Sequence, residues 1–203
     1  MSSAAPLSCV ITNGGPLILL PRQLVEAWRG VLPPLGVTVP EGWEWGDGGV
    51  VCDYDRAGTP PDDVVRLGDS HGTWTVAVAG STALVLEGEV GTTAVAWKGG
   101  LVVIRDAQVE TEDGALAILA AVDDGEWHAS SMSLDLTHGG LSMFDAAYAG
   151  VERHDADGGL LEAELAPDTY RVLFAARCDR VTLVRLVRVG QEGGGAGARV
   201  TIT

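Results

Sequence analysis

Lysine is almost missing from this 203-residue chain: Lys98 is the single lysine among 13 Lys and Arg side chains, against 28 Asp and Glu. The formal net charge of −15 repels phosphate, which argues against nucleic acid and anionic membrane as partners. It suits a basic partner. Cysteine is limited to Cys9, Cys52 and Cys178, an odd and scattered set. That set has no zinc-type spacing and makes a poor disulfide framework, so reduced, buried thiols in a cytoplasm are the expected state. Long apolar runs are also missing. Stretches such as Leu116–Val122 are far too short to span a bilayer. Met1–Cys9 has neither a basic start nor a long apolar run, so no signal peptide is expected and the location reads as cytoplasmic.

What is present is core-forming material. Hydrophobic residues make up 46% of the chain, enough for one large domain or two small ones packed together. The expected domain covers 9–189, with possible sub-halves 9–122 and 123–189, and flexible tails at 1–8 and 190–203. Asn13-Gly14-Gly15-Pro16 is a turn signal. A helix is expected after Pro21, with Leu24, Val25 and Trp28 on one face and Gly30 as its stop. Residues 36–63 are irregular, rich in Gly, Pro and Asp. From Val64 to Ala107 short Val-, Thr- and Leu-rich runs alternate with turns at Gly68–Gly72, Gly80, Gly88 and Gly99-Gly100. Asp113–Val122 reads as a second helix.

Strand signals then return at Trp127–Leu136, Leu141–Phe144, Leu160–Leu165, Tyr170–Ala176 and Val181–Val189. The last is apolar enough to be covered on both faces. Ala166-Pro167-Asp168-Thr169 reads as a hairpin turn. Gln191–Ala198 reads as a Gly-rich linker, and Arg199–Thr203 as a tail or a last edge strand. The fold class is α+β: mostly antiparallel β-sheet with about two α-helices packed against it.

Catalytic signals are thin. In a strand, Asp53 and Asp55 would point to one face, where they could hold a divalent ion, do acid–base work or mimic the D-x-D of sugar-nucleotide transferases. The alternative is a solvated pair held locally, with Arg56 as partner. His71, His128, His138 and His154 form no compact ligand set. Asp69-Ser70-His71 has triad residue types without triad spacing, and there is no G-x-S-x-G elbow. No catalytic residue, metal ligand or cofactor-binding residue is assigned, and no cofactor is expected.

The tryptophans say more. Trp28, Trp74, Trp97 and Trp127 fall in helix or strand patterns and read as core. Trp43 and Trp45 lie in a Gly-rich stretch, Glu41–Asp69, that holds eight acidic residues and two arginines. Aromatics beside carboxylates suit an anchor for a basic protein. A second acidic stretch, Asp106–Glu126, holds seven acids and no base.

Several segments occur together in order: Ile11–Pro21 (ITNGGPLILLP), Trp28-Arg29-Gly30, Asp53-Tyr54-Asp55-Arg56-Ala57, Phe144-Asp145-Ala146-Ala147-Tyr148 and Leu165–Val172 (LAPDTYRV). In that combination the chain resembles the immunity protein 21 family of bacterial polymorphic toxin systems, from about residue 9 to 189. The resemblance implies a small cytosolic protein that binds and neutralises a cognate toxin domain without catalysis. The family pattern tends to carry a cysteine soon after DYDRA, where this chain has Gly58.

The leading expectation is therefore a non-enzymatic immunity protein whose partner is a basic toxin domain. The candidate toxin-binding residues are Trp43, Trp45, Asp47, Asp53, Tyr54 and Asp55. One alternative is a metal-assisted hydrolase or carbohydrate-active enzyme using Asp53 and Asp55. Another is a non-catalytic β-rich ligand-binding or structural module. Because the two carboxylates have no histidine at ligand spacing, calorimetric titration with Mn²⁺ or Zn²⁺ is expected to show no micromolar binding. Micromolar binding lost in Asp53→Ala would establish the metal alternative.

Overall fold

The computed structural model describes residues 7, 9–12, 14–46, 49–66, 72–105, 109–177, 181–190 and 199–202. Asn13, Asp47, the Asp69-Ser70-His71 turn, Cys178 and the Gly-rich run 191–198 lie outside the described residues.

Two antiparallel sheets form the body. The strands in chain order are β1 (Leu17–Pro21), β2 (Thr73–Val78), β3 (Ser81–Leu86), β4 (Thr92–Trp97), β5 (Gly100–Arg105), β6 (His128–Leu136), β7 (Leu141–Asp145), β8 (Leu161–Glu164), β9 (Asp168–Arg177), β10 (Val181–Arg188) and β11 (Arg199–Ile202). One sheet has the order β11-β8-β7-β1-β3-β2 and the other β4-β5-β10-β9-β6. β1 pairs with β3 on one side and β7 on the other, so one strand from each candidate sub-half flanks it. Arg199–Ile202, read above as a tail or an edge strand, pairs with β8.

Strand alternation builds three apolar layers. Leu17 and Leu19 join Leu84, Leu86, Leu101, Val103, Phe174 and Leu186 between the two sheets. Ile18 and Leu20 face the other way, packing with Val85, Phe144, Trp74 and Trp28 on the outer side of the six-stranded sheet. Val102, Ile104 and Leu183 cover the outer side of the five-stranded sheet and meet the helix α2 (Glu112–Ala120) through Ala115 and Leu119. β1, β5 and β7 are buried along their whole length because both of their faces are covered. The same holds for most of β10, as its near-continuous apolar run predicts.

Four local expectations change. The segment after Pro21 is a 3₁₀ helix, Arg22–Ala27, with no side-chain cap. Trp28 leaves it in extended conformation and turns its ring beneath the sheet. Ala166–Thr169 is no hairpin, since β8 and β9 belong to different sheets and the turn carries the chain across the sandwich. Tyr170 Oη donates back to Ala166 O at 2.9 Å and holds that corner. Cys9 is exposed while Cys52 is buried, and both are free thiols. Trp97 and Trp127 are half-buried, not core, and the Arg185 guanidinium lies against both, 4.9 and 5.4 Å from their ring centroids.

Among the described residues, the hairpins β2–β3 and β4–β5 are the tight ones. Their two-residue turns place Ala79 and Lys98 at positive φ, the backbone that matches strand twist. Arg105 is 1% exposed, and burial pulls its pKa down to about 10 against the opposing charge of Glu87. Its Nη2 donates to Glu87 O and Gly88 O, pinning the turn after β3.

The layering makes a stability contrast. Leu19→Ala, between the sheets, is expected to cost about 2–5 kcal/mol in urea unfolding with an unchanged m-value. Leu35→Ala, at a position 77% exposed, is expected to stay within about 0.5 kcal/mol.

Candidate functional site

The irregular layer outside the six-stranded sheet is organised by a short helix, α1 (Asp53–Ala57), instead of the strand considered above. Cys52 caps it in place of the usual serine: its Sγ accepts from Asp55 N at 3.4 Å, and Asp55 Oδ2 accepts from Cys52 N at 2.9 Å. Burial pushes the Cys52 thiol pKa up, which keeps it neutral in that role. Asp53 Oδ2 accepts from Arg29 N at 2.8 Å, and its other oxygen pairs with Arg56. Arg56 Nη1 in turn donates to Ala77 O at 2.7 Å on the outer strand β2. The two carboxylates thus hold α1 in place and do not converge. The cleft beside Asp55, about 490 Å³, is lined by Gly46, Gly49, Val50, Val51, Asp55, Arg56 and Thr59, and not by Asp53.

Tyr54, between them, points away to the start of β1. Its N–H donates to Gly30 O at 3.0 Å, and its ring lies on Gly15. A methyl group on Gly15 would fall 2.8 Å from Tyr54 Cε2, so the ring would have to shift to admit it. Trp45, 52% exposed, meets the Tyr54 ring edge-on, with centroids 5.1 Å apart and planes at 84°. Burial, then the charge of Asp145, raises the Tyr54 pKa, so the phenol stays neutral.

Tyr54 and Gly15 separate two clefts. The larger, about 550 Å³, is lined by Gly14, Gly15, Val31, Trp45, Tyr54, Asp145, Ala147, Tyr148 and Glu152. The smaller, about 350 Å³, includes Trp74, Glu87, Gly88 and Glu89. Glu87 is tied to Arg66 at 2.6 Å, and Glu89 is exposed. The larger cleft is acidic and aromatic, with no basic side chain among the described residues that line it.

Of the residues chosen from sequence, Trp45 and Tyr54 meet on this face, and α1 carries Asp53, Tyr54 and Asp55. Trp43 is half-buried, and its indole N–H has no partner among the described residues. Asp47 lies outside the described residues. Asp145, Tyr148 and Glu152 were not chosen, although Phe144–Tyr148 was among the recurring segments. Asp145 and Tyr148 carry only that signal and Glu152 carries none, because a long stretch of chain separates all three from α1. Among the described residues no group of three or more His, Cys, Asp or Glu side chains is placed to hold a metal ion. No described helix is long and apolar enough to cross a membrane.

The ring-on-glycine contact is testable without a ligand. Gly15→Ala is expected to cost about 1–3 kcal/mol by overpacking, and little in a Tyr54→Ala background. Additive losses in that double-mutant cycle, read by urea unfolding, would mean the ring does not rest on Gly15.

The recurring segments converge in space. Trp28 Nε1 donates to Ala146 O at 3.0 Å, Ala146 N to Pro16 O at 3.0 Å, and Val31 N to Ala147 O at 3.0 Å. With Arg29 N on Asp53 and Tyr54 N on Gly30, four of the five segments lock into one knot beside the larger cleft. Comparison with known proteins agrees with that pattern. Residues 8–180 match the family model described as Immunity protein 21. No curated protein and no solved structure matches the chain. On a family match spanning most of its length, this chain belongs to the immunity protein 21 family.

Proposed function

We propose that the chain neutralises a cognate toxin domain of a polymorphic toxin system by binding it in the cytoplasm, without catalysing a reaction. The observation that carries this reading is the exposed Trp45 ring standing on half-buried Tyr54 at the edge of an acidic cleft. An aromatic anchor ringed by carboxylates is the anatomy of a binding surface for a basic protein. The net charge of −15 disfavours nucleic acid and anionic membrane as the partner.

The binding surface is proposed to centre on Trp43, Trp45, Asp47, Asp53, Tyr54 and Asp55, with two roles. Trp45 and Tyr54 anchor, because they present ring area at low entropic cost. The carboxylates steer, because long-range attraction raises the rate of encounter. Asp53 and Asp55 also hold α1, so they fix where Tyr54 stands. That internal use disfavours the metal-assisted hydrolase reading, which needs both carboxylates free and convergent. An interface of ordinary size buries about 1,600 Å² in total.

The test is co-expression with the toxin domain encoded beside this gene, followed by kinetics of the purified pair. Growth rescue is expected, with association slowed by added salt. Trp45→Ala is expected to raise the off-rate, costing about 2 kcal/mol or more, roughly 30-fold in affinity. Rescue with unchanged affinity would move the site elsewhere on the protein. A neighbouring domain that is harmless, or never bound, would overturn the function.

A further inference from the structure

We infer that the larger cleft is a socket for a single arginine side chain of the protein partner. The inference rests on the binding function proposed above and names the chemistry that its central contact recognises. Three aromatic rings, Trp45, Tyr54 and Tyr148, line the cleft with two carboxylates, Asp145 and Glu152. Asp145 is 5% exposed and sits at the end of β7, with its Oδ1 accepting from Ala147 N at 2.9 Å. Glu152 is exposed. A negative charge lies deep in the cleft, and a second one lies where solvent reaches it.

Such a lining selects its occupant. An anion is repelled by both carboxylates. A neutral apolar group would meet the rings but would take water from the two carboxylates of the lining, which is costly. A divalent ion lacks a third ligand among the described residues. A cation on a long apolar stem satisfies every wall: the stem lies along the rings, and the head meets the carboxylates.

Arginine fits better than lysine. Its planar guanidinium stacks on aromatic faces and forms forked bonds to carboxylates, and it is more weakly hydrated than an ammonium. The protein uses a related arrangement within its own fold, where Arg185 lies against the neighbouring rings of Trp97 and Trp127 and Asp124 adds an attractive charge. The nearby arginines do not fill the cleft. Arg56 is paired with Asp53, and Arg153 donates to Gly150 O at 3.0 Å and to Glu162 at 3.5 Å.

The test needs no toxin. Protein labelled at the tryptophan indole nitrogens is titrated with N-acetyl-arginine N-methylamide and followed by NMR. The lysine and citrulline analogues run alongside, and Trp45→Phe assigns the signal. A saturable shift of the Trp45 indole is expected, half-complete at roughly 1–10 mM for the arginine probe. The lysine probe is expected to bind at least about tenfold more weakly, and uncharged citrulline not at all. Glu152→Gln, on an exposed side chain that folding does not require, is expected to weaken the arginine shift by about tenfold, and Tyr148→Ala to abolish it. No saturable shift, or an equal one with citrulline, overturns the socket. Equal binding of lysine overturns the assignment to arginine. If the socket fails while the toxin domain is still neutralised, the function stands without it. If the probe binds but the toxin domain does not, the binding function falls and the cationic socket remains.

Discussion

The indole of Trp28 is wholly buried, and its N–H must find an acceptor there or carry the cost of a lost hydrogen bond. It finds Ala146 O at 3.0 Å, just beyond the end of β7. That contact fixes the segment after β7 against the segment after β1. Gly150 N then donates to Trp28 O, and Val31 N to Ala147 O. Between them Gly30 holds φ at 57°, and a side chain there would strike the Ala147 and Tyr148 backbone. Asp53 and Tyr54 close on the same segment through Arg29 N and Gly30 O. The cleft walls come from four separate pieces of chain, so their geometry depends on this buried ring.

The sandwich beneath gives the knot a rigid base. β1 is central in its sheet, and both of its faces are covered. The two outer faces of the sandwich are finished differently. α2 covers the five-stranded sheet with a regular apolar stripe. Short helical turns and irregular chain cover the other, and irregular chain is where recognition residues can be placed without breaking a strand ladder.

Charge is distributed by the same economy. The chain has few cations, and several are committed internally: Arg22 to Glu164, Arg56 to Asp53, Arg66 to Glu87, Lys98 to Asp124, Arg153 to Glu162 and Arg188 to Asp168. Each pair joins segments distant in sequence or locks a turn. The surplus of acid is then left without matching base, and residues such as Glu89 and Glu152 stay exposed at the clefts. Strong acidity of the surface follows from composition. The placing of two carboxylates, Asp145 and Glu152, in one cleft with Trp45 and Tyr54 follows from the fold.

Much was determined by sequence alone. Alternation of apolar residues and turn chemistry were enough for an antiparallel, sheet-dominated α+β fold, for the helix at α2 and for the doubly covered β10, because those signals are local and periodic. The family segments were legible as an ordered set. Tertiary structure decided what periodicity cannot encode. Asp53-Tyr54-Asp55 is helical because Cys52 and Asp55 cap each other, and a five-residue helix has too few turns to show a period. Ala166–Thr169 crosses between sheets, although its turn residues would serve a hairpin equally well. Asp145, Tyr148 and Glu152 became neighbours of Trp45 and Tyr54 only through the packing of Trp28. No local pattern reports a contact closed across that length of chain, where burial and one buried hydrogen bond choose the partners.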